Sequence, residues 1–161
     1  MSKEMSNREI LIAFSILLPY RVLIKIDGVP DPALLRGIGY DLSGSQIYYS
    51  WGTKYEDHRD VLFSEKPFKV YLRGMEDITD LEREVIDLES SETLSTYMSM
   101  RDTDIWKVAP QRELAELKWF LENHIDIFGL IKEGLAVEVK AMSPMNPYKS
   151  EDYERMLEKV L

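Results

Sequence analysis

The chain contains no cysteine, which excludes disulfides, thiolate zinc sites and a cysteine nucleophile together. It has two histidines, His58 and His124, and neither belongs to an H-E-x-x-H or comparable metal spacing. There is no glycine-rich phosphate loop, no G-x-S-x-G and no G-x-G-x-x-G. Internal repeats and low-complexity segments are absent as well. Long apolar runs are scarce: ILIAFSILL (10–18) spans nine residues, whereas a ~30 Å hydrocarbon core needs about 20. Lys3 and Arg8 flank that run as they would a signal-peptide core, but Glu4 and Glu9 share the flank and no small-x-small cleavage site follows. We read it as a buried first helix and expect cytoplasmic residence.

Basic residues are also in short supply. Lys and Arg number 20 against 29 acids, giving a net charge of −9. Such a field repels phosphate backbones, so direct nucleic-acid binding is not expected, nor is a membrane partner. Basic partners, or a site that would otherwise hold DNA, suit it better. What is present is ordinary for a globular chain: 161 residues, 45% hydrophobic and 30% charged. One domain (1–161) burying about two thirds of its surface is expected, with no cofactor needed.

Ser6 and Glu9 form an S-x-x-E capping box, so a helix starts near Asn7 and stops before Pro19. Residues 20–27 alternate as a half-buried strand, with Val22, Ile24 and Ile26 opposite Arg21, Leu23, Lys25 and Asp27. After the turn GVPDP (28–32), residues 34–42 and 46–51 read as a hairpin across Ser43, Gly44 and Ser45. TKYEDHRD (53–60) reads as a polar loop, 61–63 as a short strand and 68–73 as an alternating one. Thr79 and Glu82 make a second capping box, opening a helix with the stripe Ile78, Leu81, Val85 and Leu88. Residues 90–104 have no clean period and read as a loop.

A helix over 110–123 follows, with Leu114, Leu117, Phe120 and Leu121 on its apolar face. A short one over 127–133 is expected between an Asp126 cap and Gly134, then a strand over 135–139. Ser150 caps a last helix whose stripe is Tyr153, Met156, Leu157, Val160 and Leu161. That stripe either packs on the domain's own core or serves as an oligomerisation helix (151–161). The expected fold is α+β: a curved antiparallel sheet of four to five strands with an N-terminal helix (1–75), and a mainly helical C-terminal half (76–161).

The phrases KPFKVYLRGMEDIT (66–79) and LKWFLENHIDIFGLIKEGLAVEV (117–139), with a weaker LPYRV (18–22), carry a resemblance. They resemble a group of small proteins encoded in Bacteroides prophages and mobile elements, with phrases like KPYLRPMSSMTEEE and LDWLNAHHFDYRGLIEKGLALEAP. Gly129, Leu130, Ile131, Gly134, Leu135 and Ala136 match best; Phe128 replaces an arginine and Gly74 a proline. The resemblance implies a mobile-element setting, with the host cytoplasm as the place of action, and no particular activity.

The candidate chemistry is thin on the catalytic side. His58 lies among carboxylates in a loop, and His124 near a helix end where an imidazolium complements the dipole. Asp102 and Asp104 form a D-x-D pair that suits a divalent cation, the basis of a metal-dependent enzyme as one alternative. No catalytic or metal residue is assigned beyond this. The aromatics Tyr40, Tyr48, Tyr49, Trp51, Tyr55 and Tyr71 sit on or beside neighbouring strands, near Arg21, Lys25, Arg36 and Arg73. Stacking rings plus guanidinium suit a nucleotide-like ligand, and the expected ligand set is Arg36, Tyr48, Trp51, Tyr71 and Arg73. The second surface is acidic: 76–92 holds eight acids against the single base Arg83. Its expected partner-binding residues are Glu82, Glu84, Asp87 and Glu89.

Two oppositely charged surfaces on consecutive elements favour recognition over catalysis. The leading expectation is a non-catalytic anti-defence factor that sequesters a nucleotide-type signal. The alternative is an acidic inhibitor or DNA mimic that acts on a host defence protein through 79–92.

Overall fold

The computed structural model describes residues 5–41, 46–89 and 110–160. Ser6 caps α1 (Asn7–Leu17), its hydroxyl accepting the Glu9 N–H at 3.2 Å. Ile10, Ala13, Phe14 and Leu17 form its buried side. Pro19 ends the helix in a 3-10 turn (Leu18–Tyr20), and Arg21 reverses the chain at φ 57, a left-handed conformation costly to a residue with a Cβ.

Six strands follow: β1 (Leu23–Ile26), β2 (Ala33–Tyr40), β3 (Ile47–Gly52), β4 (Asp57–Leu62), β5 (Phe68–Arg73) and β6 (Ala136–Val139). They form one open sheet in the order β4-β3-β2-β1-β5-β6. Every pairing is antiparallel except β5 with β6. The remaining α-helices among the described residues are α2 (Asp80–Glu89), α3 (Pro110–Glu122) and α4 (Glu151–Val160).

The class is α+β as expected, and four expectations need correction. The sheet has six strands, not four to five, because β6 from the C-terminal half joins it; β4 also starts earlier than the short strand expected over 61–63, taking the second half of the stretch read as a polar loop. β4 is an edge strand with its first four residues exposed, so no burial pattern alternates in its sequence; charged side chains on such an edge also discourage further pairing. The sheet is mixed rather than antiparallel, since a long crossover brings β6 alongside β5 in parallel.

The C-terminal half is not mainly helical. Residues 127–133 form turns, although Asp126 caps them as expected: its carboxylate accepts the Leu130 and Ile131 N–H groups at 2.8 and 2.9 Å. Gly129 and Gly134, both at φ 74, are left-handed and bend the segment instead of letting it coil. Of the stripe expected on α2, Ile78 just before the helix is buried beside Ile86, Leu81 and Val85 are 74% and 44% exposed, and the side chain of Leu88 lies outside the described residues. Residues 43–45 and 90–104 lie outside the described residues.

The sheet has two unlike faces. On the first, α1 and the segment around Leu121 and Leu130 cover Ile24, Ile26, Leu35, Tyr49, Trp51, Phe68, Val70 and Leu72 in one cluster. On the second, Met156 of α4 buries Leu23 and Leu34, with Tyr71, Tyr148, Tyr153 and Leu157 around them. The last helix therefore packs part of its stripe on its own sheet.

Candidate functional site

The step from basic strand to acidic helix has a local cause. Arg73 ends β5 with its side chain 7% exposed, and its Nε–H donates to Asp77 Oδ2 at 2.8 Å. Nη1 and Nη2 donate to the two oxygens of Glu82 at 2.9 and 2.8 Å, and Nη2 also reaches the Asp77 carbonyl at 2.9 Å. Four of the five guanidinium donors are bonded within the chain. Glu82 also completes the capping box, accepting the Thr79 N–H at 3.1 Å while Thr79 Oγ1 accepts the Glu82 N–H at 3.1 Å.

Arg73 holds the Glu82 carboxyl down at about 2. Burial works to raise Asp77, but the Ala141 N–H and Arg73 outweigh it and leave that carboxyl below its ordinary value. Arg73 and Glu82, expected in two separate binding surfaces, instead fasten α2 to the sheet.

Arg36 is placed differently. It is the extra residue of a β-bulge in β2, where the register jumps from Leu35 opposite Trp51 to Gly37 opposite Ser50. Its guanidinium lies over Gly52: a Cβ there would stand 2.8 Å from Arg36 Cζ and would push the ends of the Arg36 and Asp57 side chains aside. Nη1 donates to Asp57 Oδ1 at 2.6 Å, while Nε and Nη2 are buried without a hydrogen-bond partner among the described residues. A buried, unpaired charged donor is costly, so two such nitrogens on one side chain mark the place where a ligand has something to satisfy.

A second arginine stands nearby. Arg21 and Arg36 line one hollow of about 420 Å³, walled by Leu18, Pro19, Leu34 and Leu35. The left-handed backbone of Arg21 is fixed from outside, because the Tyr153 hydroxyl of α4 donates to its carbonyl at 2.8 Å. Two guanidiniums beside an aliphatic wall can hold a small anion with an organic body.

The aromatic members of the expected set do not converge there. Trp51 is buried on the first face, its ring stacked on His58 at 4.3 Å. Tyr71 packs in the small cluster beneath α4. Tyr48 lines a separate hollow with Tyr40, Gly37 and Gly39. Of the acidic set, Glu84 is exposed, while the side chains of Asp87 and Glu89, like Asp102 and Asp104, lie outside the described residues.

Among the described residues no group of three or more His, Asp or Glu is placed to hold a metal ion, and no helix is long and apolar enough to cross a membrane. Sequence reasoning missed Tyr148. Its hydroxyl accepts the Leu23 N–H at 2.9 Å and donates to the Tyr71 carbonyl at 2.7 Å, bridging β1 and β5 where their ladder ends. Burial pushes that phenol well above its ordinary range. Only the tertiary arrangement reveals the role. Comparison with protein-family models, curated proteins and solved structures finds no match for this chain.

Proposed function

We propose that this is a non-catalytic binding protein that holds a small phosphorylated molecule, of nucleotide type, in the hollow between Arg21 and Arg36. The single observation that supports this reading is the pair of buried, unpartnered donors on Arg36. A phosphate oxygen that draws the guanidinium off Gly52 gives both of them an acceptor, and Arg21 adds the second charge. The resemblance carried by 66–79 and 117–139 suggests a mobile-element setting, in which such a binding protein would act as an anti-defence factor by sequestering a host signal. The test is native mass spectrometry of the purified protein with a pool of mono-, di- and cyclic nucleotides. We expect a stoichiometric adduct that Arg36→Ala abolishes and Arg36→Lys weakens, since lysine lacks the planar fork. A clean apo species across the pool, with the protein folded, overturns the reading, and the same spectrum reports whether a second copy is bound.

One observation favours a second reading. Leu81 and Val85 lie exposed on α2 beside exposed Asp80 and Glu84, an apolar pair with acidic neighbours. Such a surface suits a basic host protein. Charge reversal at Glu84 together with Leu81→Asp is expected to abolish capture of that partner and to leave nucleotide adducts intact.

A further inference from the structure

We propose that the cavity beside the C-terminal end of β1 is a second site, for a small amphipathic anion whose carboxylate or phosphate head is taken by Lys25 and Lys69. The two lysines are direct cross-strand partners in the antiparallel β1–β5 ladder, which places their side chains on one face of the sheet. Like charges directly opposed across a ladder repel and destabilise it. In a chain with nine more acids than bases, an acid opposite Lys25 would be the easy choice. Both lysines are exposed, and neither forms an ion pair among the described residues. An anion between them turns the repulsion into two attractive contacts.

The surroundings define the rest of the ligand. Lys25 and Lys69 line a cavity of about 760 Å³, within the span of small-molecule sites. Its walls include Val29, Pro30, Phe63, Pro67, Leu135 and Val137. Gly28 (φ 82) and Gly134 (φ 74) turn the chain at its rim in conformations that a Cβ disfavours. Asp27, two residues beyond Lys25, also lines the cavity, so its charged groups sum to a single positive charge. The lining has no arginine fork for bidentate recognition, and most of it is apolar. A monoanion with a short hydrocarbon body fits this chemistry better than a polyphosphate does.

The test uses octanoate, octyl phosphate and octanol, titrated calorimetrically into the full chain. Either anion is expected to bind at one per chain and at least about tenfold more tightly than octanol, and the ranking of the two anions tells which head group the lysines prefer. Lys69→Glu replaces the repulsion with a cross-strand ion pair. It should therefore raise the melting temperature by about 1–3 °C while weakening the anion at least about tenfold. Lys118→Glu on the exposed side of α3 changes the net charge by the same amount and controls for it. Octanol binding as tightly as octanoate, no binding of either anion at millimolar concentration, or a Lys69→Glu protein less stable than the parent with unchanged affinity would each overturn the proposal.

Discussion

The two faces of the sheet are sealed by different means. Under α1 the seal is apolar: Phe14 packs tilted against Phe68 with ring centroids 4.8 Å apart, Phe68 meets Tyr49 at 4.6 Å, and Ile24, Val70 and Leu72 are fully buried. Under α4 the apolar part shrinks to Leu23, Leu34 and Met156, and polar contacts do much of the fastening. Tyr148 and Tyr153 hydrogen-bond to the backbone, and Lys54 pairs with Asp152 at 2.8 Å. Burial is nondirectional and closes the centre of the first face, whose cluster opens at the rim where Val29, Phe63 and Leu135 line the cavity beside Lys25, whereas directional bonds hold the second only where they land. Arg21, Lys25 and Lys69 stay exposed on the second face, which is why both proposed ligand sites adjoin it.

The comparison is most easily broken from the apolar side. Phe14→Ala should cost about 3–5 kcal/mol, because it removes a buried ring at the centre of the large cluster and leaves a cavity that neighbouring strands cannot fill. Met156→Ala should cost about 2 kcal/mol, at the low end for such a truncation, because its cluster is small and α4 has polar contacts besides. Urea denaturation of both variants gives the ratio. Equal losses would mean that the two faces form one cooperative core, and the distinction drawn between them would fail.

Arg73 is the next largest effect and carries a pH signature. Arg73→Met should cost about 3 kcal/mol, since it leaves two part-buried carboxylates without their counter-charge. Glu82 sits at about 2 in the folded chain against 4.5 when free, so its contribution is fully present above pH 4.5 and is lost as pH falls towards 2. That contribution is on the order of 2–3 kcal/mol once partial exposure is allowed for. The parent should therefore lose stability steeply across that interval while Arg73→Met declines less. Superimposable acid-unfolding slopes would show that the clasp is not a source of stability.

Features set by a few neighbouring residues were legible in the sequence. Ser6, Thr79 and Ser150 cap their helices because a hydroxyl needs only an N–H three residues on. Asp126 was legible as a cap too, yet no helix followed, because Gly129 takes a left-handed conformation that the sequence does not announce. The exposed first four residues of edge strand β4 hid its start, and the parallel pairing of β6 was hidden by the 62 positions between Arg73 and Ala136.

The candidate sites divide in the same way. In the sequence Arg73 reads as a ligand group although its partners, Asp77 and Glu82, follow it within the same stretch of chain; the capping spacing at Glu82 hides its second bond. Arg36 was legible as a cation, but its orphan donors depend on a bulge and on Gly52 beneath it. The Lys25–Lys69 opposition exists only in register, which no local pattern fixes.

The smallest expected effect tests whether the second face tolerates charge at its seam. His124 sits at φ 58 with its ring stacked on Tyr148 at 3.9 Å, and its Nε2 lies 2.9 Å from the Tyr20 carbonyl. A carbonyl only accepts, so the neutral ring carries its proton on Nε2. Burial lowers the pKa of this histidine; the bond to Tyr20 works against that shift, and the nearby Arg73 charge reinforces it. The unfolded chain thus takes up the proton more readily than the folded one. Stability is complete above pH 6.5 and falls as the pH drops through the lower folded value. His124→Asn keeps a residue that accepts the left-handed backbone and removes the titration. Its stability should stay flat from pH 7 to pH 5, where the parent's declines, and both should fall together once the carboxylates titrate. If the two curves run parallel throughout, the seam admits a charged imidazole, and the polar seal of this face is looser than the bonds around Tyr148 imply.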